Sequence, residues 1–244
     1  MSSSSVELSA RIKAVWERIA LAEAAANRAA GSVRLLAVSK TFPAQAVAQA
    51  AACGLRAFGE NYVQEGVDKV AALRASHPDL ALEWHFIGPL QSNKTRLVAE
   101  HFDWVQSIDR TRIAERLAAQ RPDGLAALNA LIQVNVSGEA SKSGVEPEAA
   151  LALAATVAGL PRLCLRGLMA IPEPGVAPAL AADRLARMQA LFARLRAAHP
   201  EVDTLSLGMS ADLEQAIAAG STMVRVGTAI FGARSRPATP QETP

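Results

Sequence analysis

The sequence predicts a single closed (β/α)₈ barrel preceded by an extra helix. Three observations carry this reading. Eight short apolar or β-branched runs alternate with longer Ala-rich runs, the pattern of a parallel sheet covered on both faces. The length, 244 residues, is natural for one closed barrel. No glycine-rich dinucleotide fingerprint follows the first strand, which counts against an open doubly wound sheet.

The elements follow in order. Ser4-Ser5-Val6-Glu7 reads as a capping box, and Leu8, Ile12, Val15 and Ile19 continue at helical spacing. This helix is expected to run to about Ala30 and to stop at Gly31. The strand candidates are Val33–Ser39, Arg56–Gly59, Trp84–Ile87, Trp104–Gln106, Ala130–Val136, Leu165–Met169, Thr204–Leu207 and Val224–Val226. Crossover helices fit between them, such as Ala44–Cys53 closed by Gly54 and Ala211–Ala219 closed by Gly220. Leu73-Arg74-Ala75-Ser76-His77-Pro78 is echoed by Leu195-Arg196-Ala197-Ala198-His199-Pro200. A His near a helix end and a Pro that stops it explain both, so His77 and His199 are set aside. Residues 1–233 are expected to form one domain, and 234–244, rich in Pro, Thr and Ser, a mobile tail.

Composition narrows the function classes. A formal net charge of +2 gives no general case for nucleic acid or an anionic membrane as partner. Cys53 and Cys164 sit in apolar contexts without CxxC spacing, and the four histidines show no ligand spacing, so no metal is expected. The N-terminus lacks a signal-peptide pattern, and the longest apolar stretch, Ala149–Leu160, is too short to span a bilayer. A soluble, cytoplasmic monomer is expected.

In such a barrel chemistry sits where strands end. The residues there include Lys40, Glu60, Asn61, His85, Ser107, Asn135, Met169, Gly208 to Ser210, Gly227 and Thr228. Lys40 ends the apolar run Leu35–Ser39. A lysine there points into the barrel mouth, where burial makes its amine nucleophilic towards aldehydes. The competing reading is a rim lysine paired with a carboxylate such as Glu60. Leu207-Gly208-Met209-Ser210 and Gly227-Thr228 follow the seventh and eighth strands, the usual places for a barrel phosphate site. Alternatively Ser210 is only an N-cap and Gly227 only a tight turn. A lysine, a double phosphate cradle and an otherwise apolar barrel suggest a phosphorylated aldehyde, with pyridoxal 5′-phosphate (PLP) the obvious one.

Six segments carry a resemblance across nearly the whole chain. They are Ala37–Lys40, Phe58–Glu65, Trp84–Lys94, Ser141–Gly144, Leu207–Asp212 and Arg225–Gly232. In order, they resemble the YggS/PROSC family of PLP homeostasis proteins, similar in fold to the barrel of alanine racemase and of eukaryotic ornithine decarboxylase. The resemblance implies PLP held as a Schiff base on Lys40 and a role in vitamin B6 balance. It also implies that Arg225 faces the pyridine nitrogen and that Asn61 helps hold the ring; Met209, Ser210, Gly227 and Thr228 are expected among the cofactor-binding residues. Arg225 could otherwise be a strand arginine paired with a core acid. His85 either stacks near the ring or satisfies hydrogen bonds at the mouth. Lys142 resembles the family's second, transient PLP lysine, or is a solvated loop lysine.

Three functions compete. The first is a non-catalytic PLP carrier supplying apo-enzymes. The second is a weak PLP-dependent amino-acid racemase, and the third an unrelated barrel enzyme using Lys40 without PLP. A racemase of this fold adds a second domain whose tyrosine faces the lysine across the cofactor. This chain ends shortly after its eighth strand, and its single tyrosine is Tyr62. The carrier is therefore the expectation.

Overall fold

The computed structural model describes residues 3–138, 143–173 and 175–233. Helix α1 (Ser3–Ala25) comes first. The strands are β1 (Arg34–Val38), β2 (Ala57–Glu60), β3 (Glu83–Phe86), β4 (Trp104–Ile108), β5 (Leu128–Gln133), β6 (Leu163–Met169), β7 (Thr204–Ser206) and β8 (Met223–Val226). The helices after them are α2 (Ala44–Ala52), α3 (Val63–Ser76), α4 (Thr95–His101), α5 (Thr111–Gln120), α6 (Pro147–Ala158), α7 (Pro178–Ala198), α8 (Leu213–Ala218) and α9 (Thr228–Phe231). The strands pair in sequence order, all parallel, and β8 closes on β1. Every strand expected from the sequence is present within a few residues of its expected bounds.

The alternation of side chains builds two apolar layers. Leu35, Ala37, Phe58, Trp84, Phe86, Val105, Leu205 and Val224 face outward into the layer shared with the helices. Burying each large member of it contributes roughly 1.5–3 kcal/mol. Leu36, Ile87 and Met223 meet inside the barrel, with Val38 and Ala57 against them, and Trp104, Leu131 and Met169 form a second interior group. With both faces buried, the strands read as continuous apolar runs, which is why they stand out in the sequence.

Two helix ends differ from expectation. Helix α1 stops at Ala25, because Asn27 takes a left-handed conformation (φ 53°) and Arg28 N–H turns back to the Glu23 carbonyl. Asn can supply that conformation as Gly does, so Gly31 is not needed for the stop. Glu7 pairs with Arg11 one turn on; the Ser4 side chain lies outside what is described. Helix α8 opens at Leu213 with Asp212 in the N-cap position, so Ser210 is not its cap. The tail 234–244 lies outside the described residues. Among the described residues no helix is long and apolar enough to cross a membrane.

Candidate functional site

The inward positions run in steps of two along each strand, and at the C-terminal rim they reach the expected site residues. On β1 the step from Leu36 and Val38 leads to Lys40, which is half-buried. On β2 the step from Ala57 through Gly59 leads to Asn61. Gly88, after β3, packs directly on Asn61: a Cβ there would lie 2.0 Å from the Asn61 carbonyl oxygen, so only glycine fits. Asn61 Oδ1 is buried without a hydrogen-bond partner among the described residues. On β8 Met223 is followed by Arg225, whose register partner on β1 is Leu36. Lys40 therefore lies two inward steps nearer the mouth on the neighbouring strand.

Arg225 is 3 % exposed, yet among the described residues no carboxylate bonds it. Its Nη1 donates to the Ser206 carbonyl (2.7 Å) and to Ser206 Oγ (2.8 Å), and its Nη2 to the Ala170 carbonyl (2.8 Å). Burial lowers its pKa to about 10, so it stays charged at neutral pH. A guanidinium has five N–H donors, and these bonds use three. The alternative of an arginine paired with a core acid does not hold. A buried cation bonded only to neutral oxygens, with Asp212 favouring its charge from a distance, is costly, and its surplus donors suit an electron-rich ligand atom.

The side chains flanking Lys40 point the other way. Ser39 Oγ donates to Glu60 Oε1 (2.5 Å), and Lys69 Nζ on α3 donates to Glu60 Oε1 (2.8 Å), Glu65 Oε1 (2.6 Å) and the Ser39 carbonyl (2.7 Å). Thr41, held at φ 69°, donates its N–H to Glu65 Oε1 (2.5 Å). Glu60, weighed as a partner for Lys40, thus belongs to an outward cluster that grips residues 39 and 41. Burial raises the Glu60 pKa against the opposing pull of Lys69 and Ser39. Sequence reasoning missed Lys69, although Gly66, Lys69, Val70 and Leu73 form the buried stripe of α3. A lysine on such a stripe signals a buried acid.

The two proposed halves of the phosphate cradle follow adjacent strands, β7 and β8. Gly208 has φ 90° and backs onto Ala216, 2.6 Å from where a Cβ would stand. The Met209 N–H is taken by Asp212 Oδ1 (2.7 Å), and Met209 lines a cavity of about 250 Å³ against α7 and α8. It is therefore turned partly away from the rest of the set. Helix α1 braces both halves. Arg18 donates to the Ser210 carbonyl (3.0 Å) and pairs with Glu214, and Arg11 Nε donates to the Ile230 carbonyl (2.8 Å) in α9. Thr228 opens α9 and is exposed.

His85 corrects the sequence reading. It is fully buried inside the barrel, two residues short of Ile87, and not at the mouth. Its ring stacks on Trp104 (centroids 5.0 Å apart), with Glu83 on one nitrogen and Gln106 on the other. Ser107 and Asn135 are buried, and Met169 packs on Trp104 and Leu131. Lys142 lies outside the described residues. Among the described residues no group of three or more His, Cys, Asp and Glu could hold a metal ion.

The chain has counterparts among known proteins. The family model for the alanine racemase N-terminal domain matches residues 14–235. A Vibrio cholerae protein named pyridoxal phosphate homeostasis protein is 58 % identical over 226 residues, covering 91 % of this chain and 94 % of that one. A Pseudomonas aeruginosa protein of the same name is 59 % identical over 227 residues, with 91 % and 94 % covered. The structure of PipY from Synechococcus elongatus with PLP bound aligns at a TM-score of 0.74 and 37 % identity, covering 88 % of this chain and all (100 %) of that one.

Proposed function

The chain belongs to the family of pyridoxal phosphate homeostasis proteins, built on the alanine racemase N-terminal barrel, and from this premise we propose that it binds PLP at the barrel mouth and serves cellular PLP balance. One observation carries the reading. Arg225 is a buried cation that no carboxylate bonds among the described residues, and the alternation along β1 carries Lys40 to the rim above it, just past Val38. Asn61 Oδ1, buried at the end of β2 without a partner among the described residues, fits a bound polar group. Lys40 would hold the cofactor as a Schiff base. Arg225 would donate to the ring nitrogen and, as a group that only donates, keep that atom unprotonated. Asn61 would hold the ring, and Ser210, Gly227 and Thr228 the phosphate, with Lys142 a second amine for release. When bound, the cofactor supplies an aldehyde that condenses with amines and a ring that withdraws electrons.

The protein is a carrier and not a catalyst in this reading, with cytoplasmic apo-enzymes as its recipients. Racemisation needs a base on each face of the cofactor. Tyr62 is 57 % exposed at the start of α3, and both His85 nitrogens are committed inside the barrel. Neither stands ready opposite Lys40. The test mixes the PLP-loaded protein with an apo PLP enzyme while a scavenger removes free PLP. Reactivation above the scavenger control is expected. Sustained turnover of an amino acid at rates of ordinary enzymes, about 1–10³ s⁻¹, would overturn the reading.

A further inference from the structure

A column of buried polar side chains crosses the barrel interior and ends on Arg225. Glu83 Oε1 lies 2.7 Å from His85 Nε2, and His85 Nδ1 lies 2.9 Å from Gln106 Nε2. Gln106 Oε1 is 2.7 Å from Ser206 Oγ, which is 2.8 Å from Arg225 Nη1. The members come from β3, β4, β7 and β8, so the link from Gln106 to Ser206 crosses the interior between strands that are not neighbours. Interiors of such barrels are ordinarily filled by branched apolar residues. Well-packed apolar side chains would be no less stable here, so packing alone does not account for the column.

Its two ends decide its direction. Arg225 can only donate, and Glu83, whose pKa is lowered against burial by the hydrogen bond from His85 and by Arg34, can only accept. Arg225 gives a proton to Ser206 Oγ. The Ser206 hydroxyl is then free to give its own to Gln106 Oε1. The Gln106 amide nitrogen gives one proton to His85 Nδ1 and turns the other toward Met223 Sδ (3.2 Å). His85 gives its single proton, on Nε2, to Glu83. Turning the Gln106 amide over would set Oε1 against Nδ1 and require a doubly protonated His85. The charged groups around that ring are Glu83, Arg34 behind it and Asp103, with Trp104 stacked on its face. Burial is the largest influence on His85 and disfavours its charged form.

We propose that Ser206, Gln106 and His85 are positioning residues for Arg225: a one-way hydrogen-bond column that holds its guanidinium in place with the remaining donors toward the mouth. The inference rests on the functional reading above for what Arg225 faces, but not for the column itself. It requires His85 to be the neutral Nε2–H form. Adding a proton to His85 would reverse Gln106, and Ser206 would then accept from both Gln106 and Arg225. The state of a ring deep in the barrel is thereby coupled to the group that, in the reading above, faces the ring nitrogen of the cofactor.

The test begins with cofactor-free protein labelled with ¹⁵N. His85 should show a protonated Nε2 and a bare Nδ1 from about pH 8 down to about pH 5.5, across the range in which a free histidine titrates. The Arg225 guanidinium protons should exchange slowly with water. Gln106→Leu should speed that exchange by about tenfold or more, as expected for loosening hydrogen bonds from a charged group. Ser206→Ala, a smaller change in the core, should do the same if Gln106→Leu does not fold. In PLP-loaded protein either variant should move the titration midpoint of the visible band by about one pH unit. A proton on His85 Nδ1, or folded variants with unchanged exchange and an unchanged band, overturns the column. If borohydride fixes no PLP on Lys40 in the unmodified protein, the functional reading fails, while the two readouts on cofactor-free protein still decide the column.

Discussion

Where β1 and β2 end, consecutive side chains leave the barrel wall in opposite directions. Ser39 and Glu60 turn outward, into a cluster with Lys69 and Glu65 whose members spend their hydrogen bonds on one another. By the same alternation Lys40 and Asn61 fall on the inner side, where Asn61 Oδ1 and two donors of Arg225 are left over among the described residues. The outer side is nearly closed: among the described residues Glu60 Oε2 is the one buried side-chain atom of this cluster without a partner. The inner side keeps capacity for a ligand. Saturated polar groups hold a backbone in place, whereas unsatisfied ones mark where something binds. One residue of register separates the two roles.

The largest effects come from exchanging the two lysines. Lys40→Ala should abolish the borohydride-fixed phosphopyridoxyl adduct on the peptide around residue 40 and leave stability nearly unchanged. Lys69→Met should do the reverse. It strands Glu60 in a buried site, and breaking a buried ion pair costs about 3–5 kcal/mol. The adduct should still form at saturating PLP. Denaturant unfolding and mass spectrometry read both. Adding Glu60→Gln to Lys69→Met should return much of the lost stability, because no uncompensated charge remains. A stable Lys69→Met protein, or a Lys40→Ala protein that keeps the adduct, would erase the contrast.

That contrast also explains what could be read in advance. The eight strands were legible because both faces of a parallel barrel strand are apolar, and Lys40 stood out as a charge closing such a run. Glu60 was placed correctly at its strand end, and the partners it takes, Ser39 and Lys69, were not foreseen. Parity along β2 separates it from Asn61, but the strand bounds needed to count parity are the least certain part of a sequence reading. His85 was misplaced for the same reason: β3 continues past it, and Ile87 takes the inward position nearer the mouth. The bond that holds the Met209 amide to the Asp212 side chain could not be read in advance, because loop geometry leaves no periodic trace. Lys69 was discoverable from helical periodicity, since it shares the buried stripe of α3.

A second, smaller effect sharpens the inner side. If the cradle after β7 and β8 holds a phosphate, PLP should bind much better than pyridoxal. Ser210→Ala should narrow that preference by about tenfold or more, since a hydrogen bond to a charged group is worth about 1.5–3 kcal/mol. Arg18→Ala should narrow it less. Arg18 reaches only the Ser210 carbonyl and a half-exposed Glu214, so it acts on the loop's position and not on the anion. Equal affinities for the two ligands in the unmodified protein would remove the cradle from the inner side.

The smallest effect is in the response to acid, where the two faces should differ in sign. On the inner side the pKa of Glu83 is lowered to about 2 from an ordinary 4.5. The unfolded chain takes up its proton first as pH falls, so the stability Glu83 contributes is present above about 4.5 and lost toward 2. His85 acts the same way, because its folded pKa is lowered from 6.5 by burial and the unfolded state binds the proton sooner. On the outer side the pKa of Glu60 is raised above 4.5, so the folded state holds its proton longer as pH rises. Its contribution is fullest below 4.5 and declines as pH climbs through the raised value. Each single-proton slope is bounded at about 1.4 kcal/mol per pH unit. Relative to the unmodified protein, Glu83→Gln should therefore flatten the acid side of the stability–pH curve. Glu60→Gln should steepen the loss just above pH 4.5, where Glu60 normally offsets it. Urea unfolding midpoints taken at successive pH values read both slopes. Parallel curves for the two variants would mean that the inner and outer carboxylates share one environment, contrary to the opposite directions in which β2 and β3 turn them.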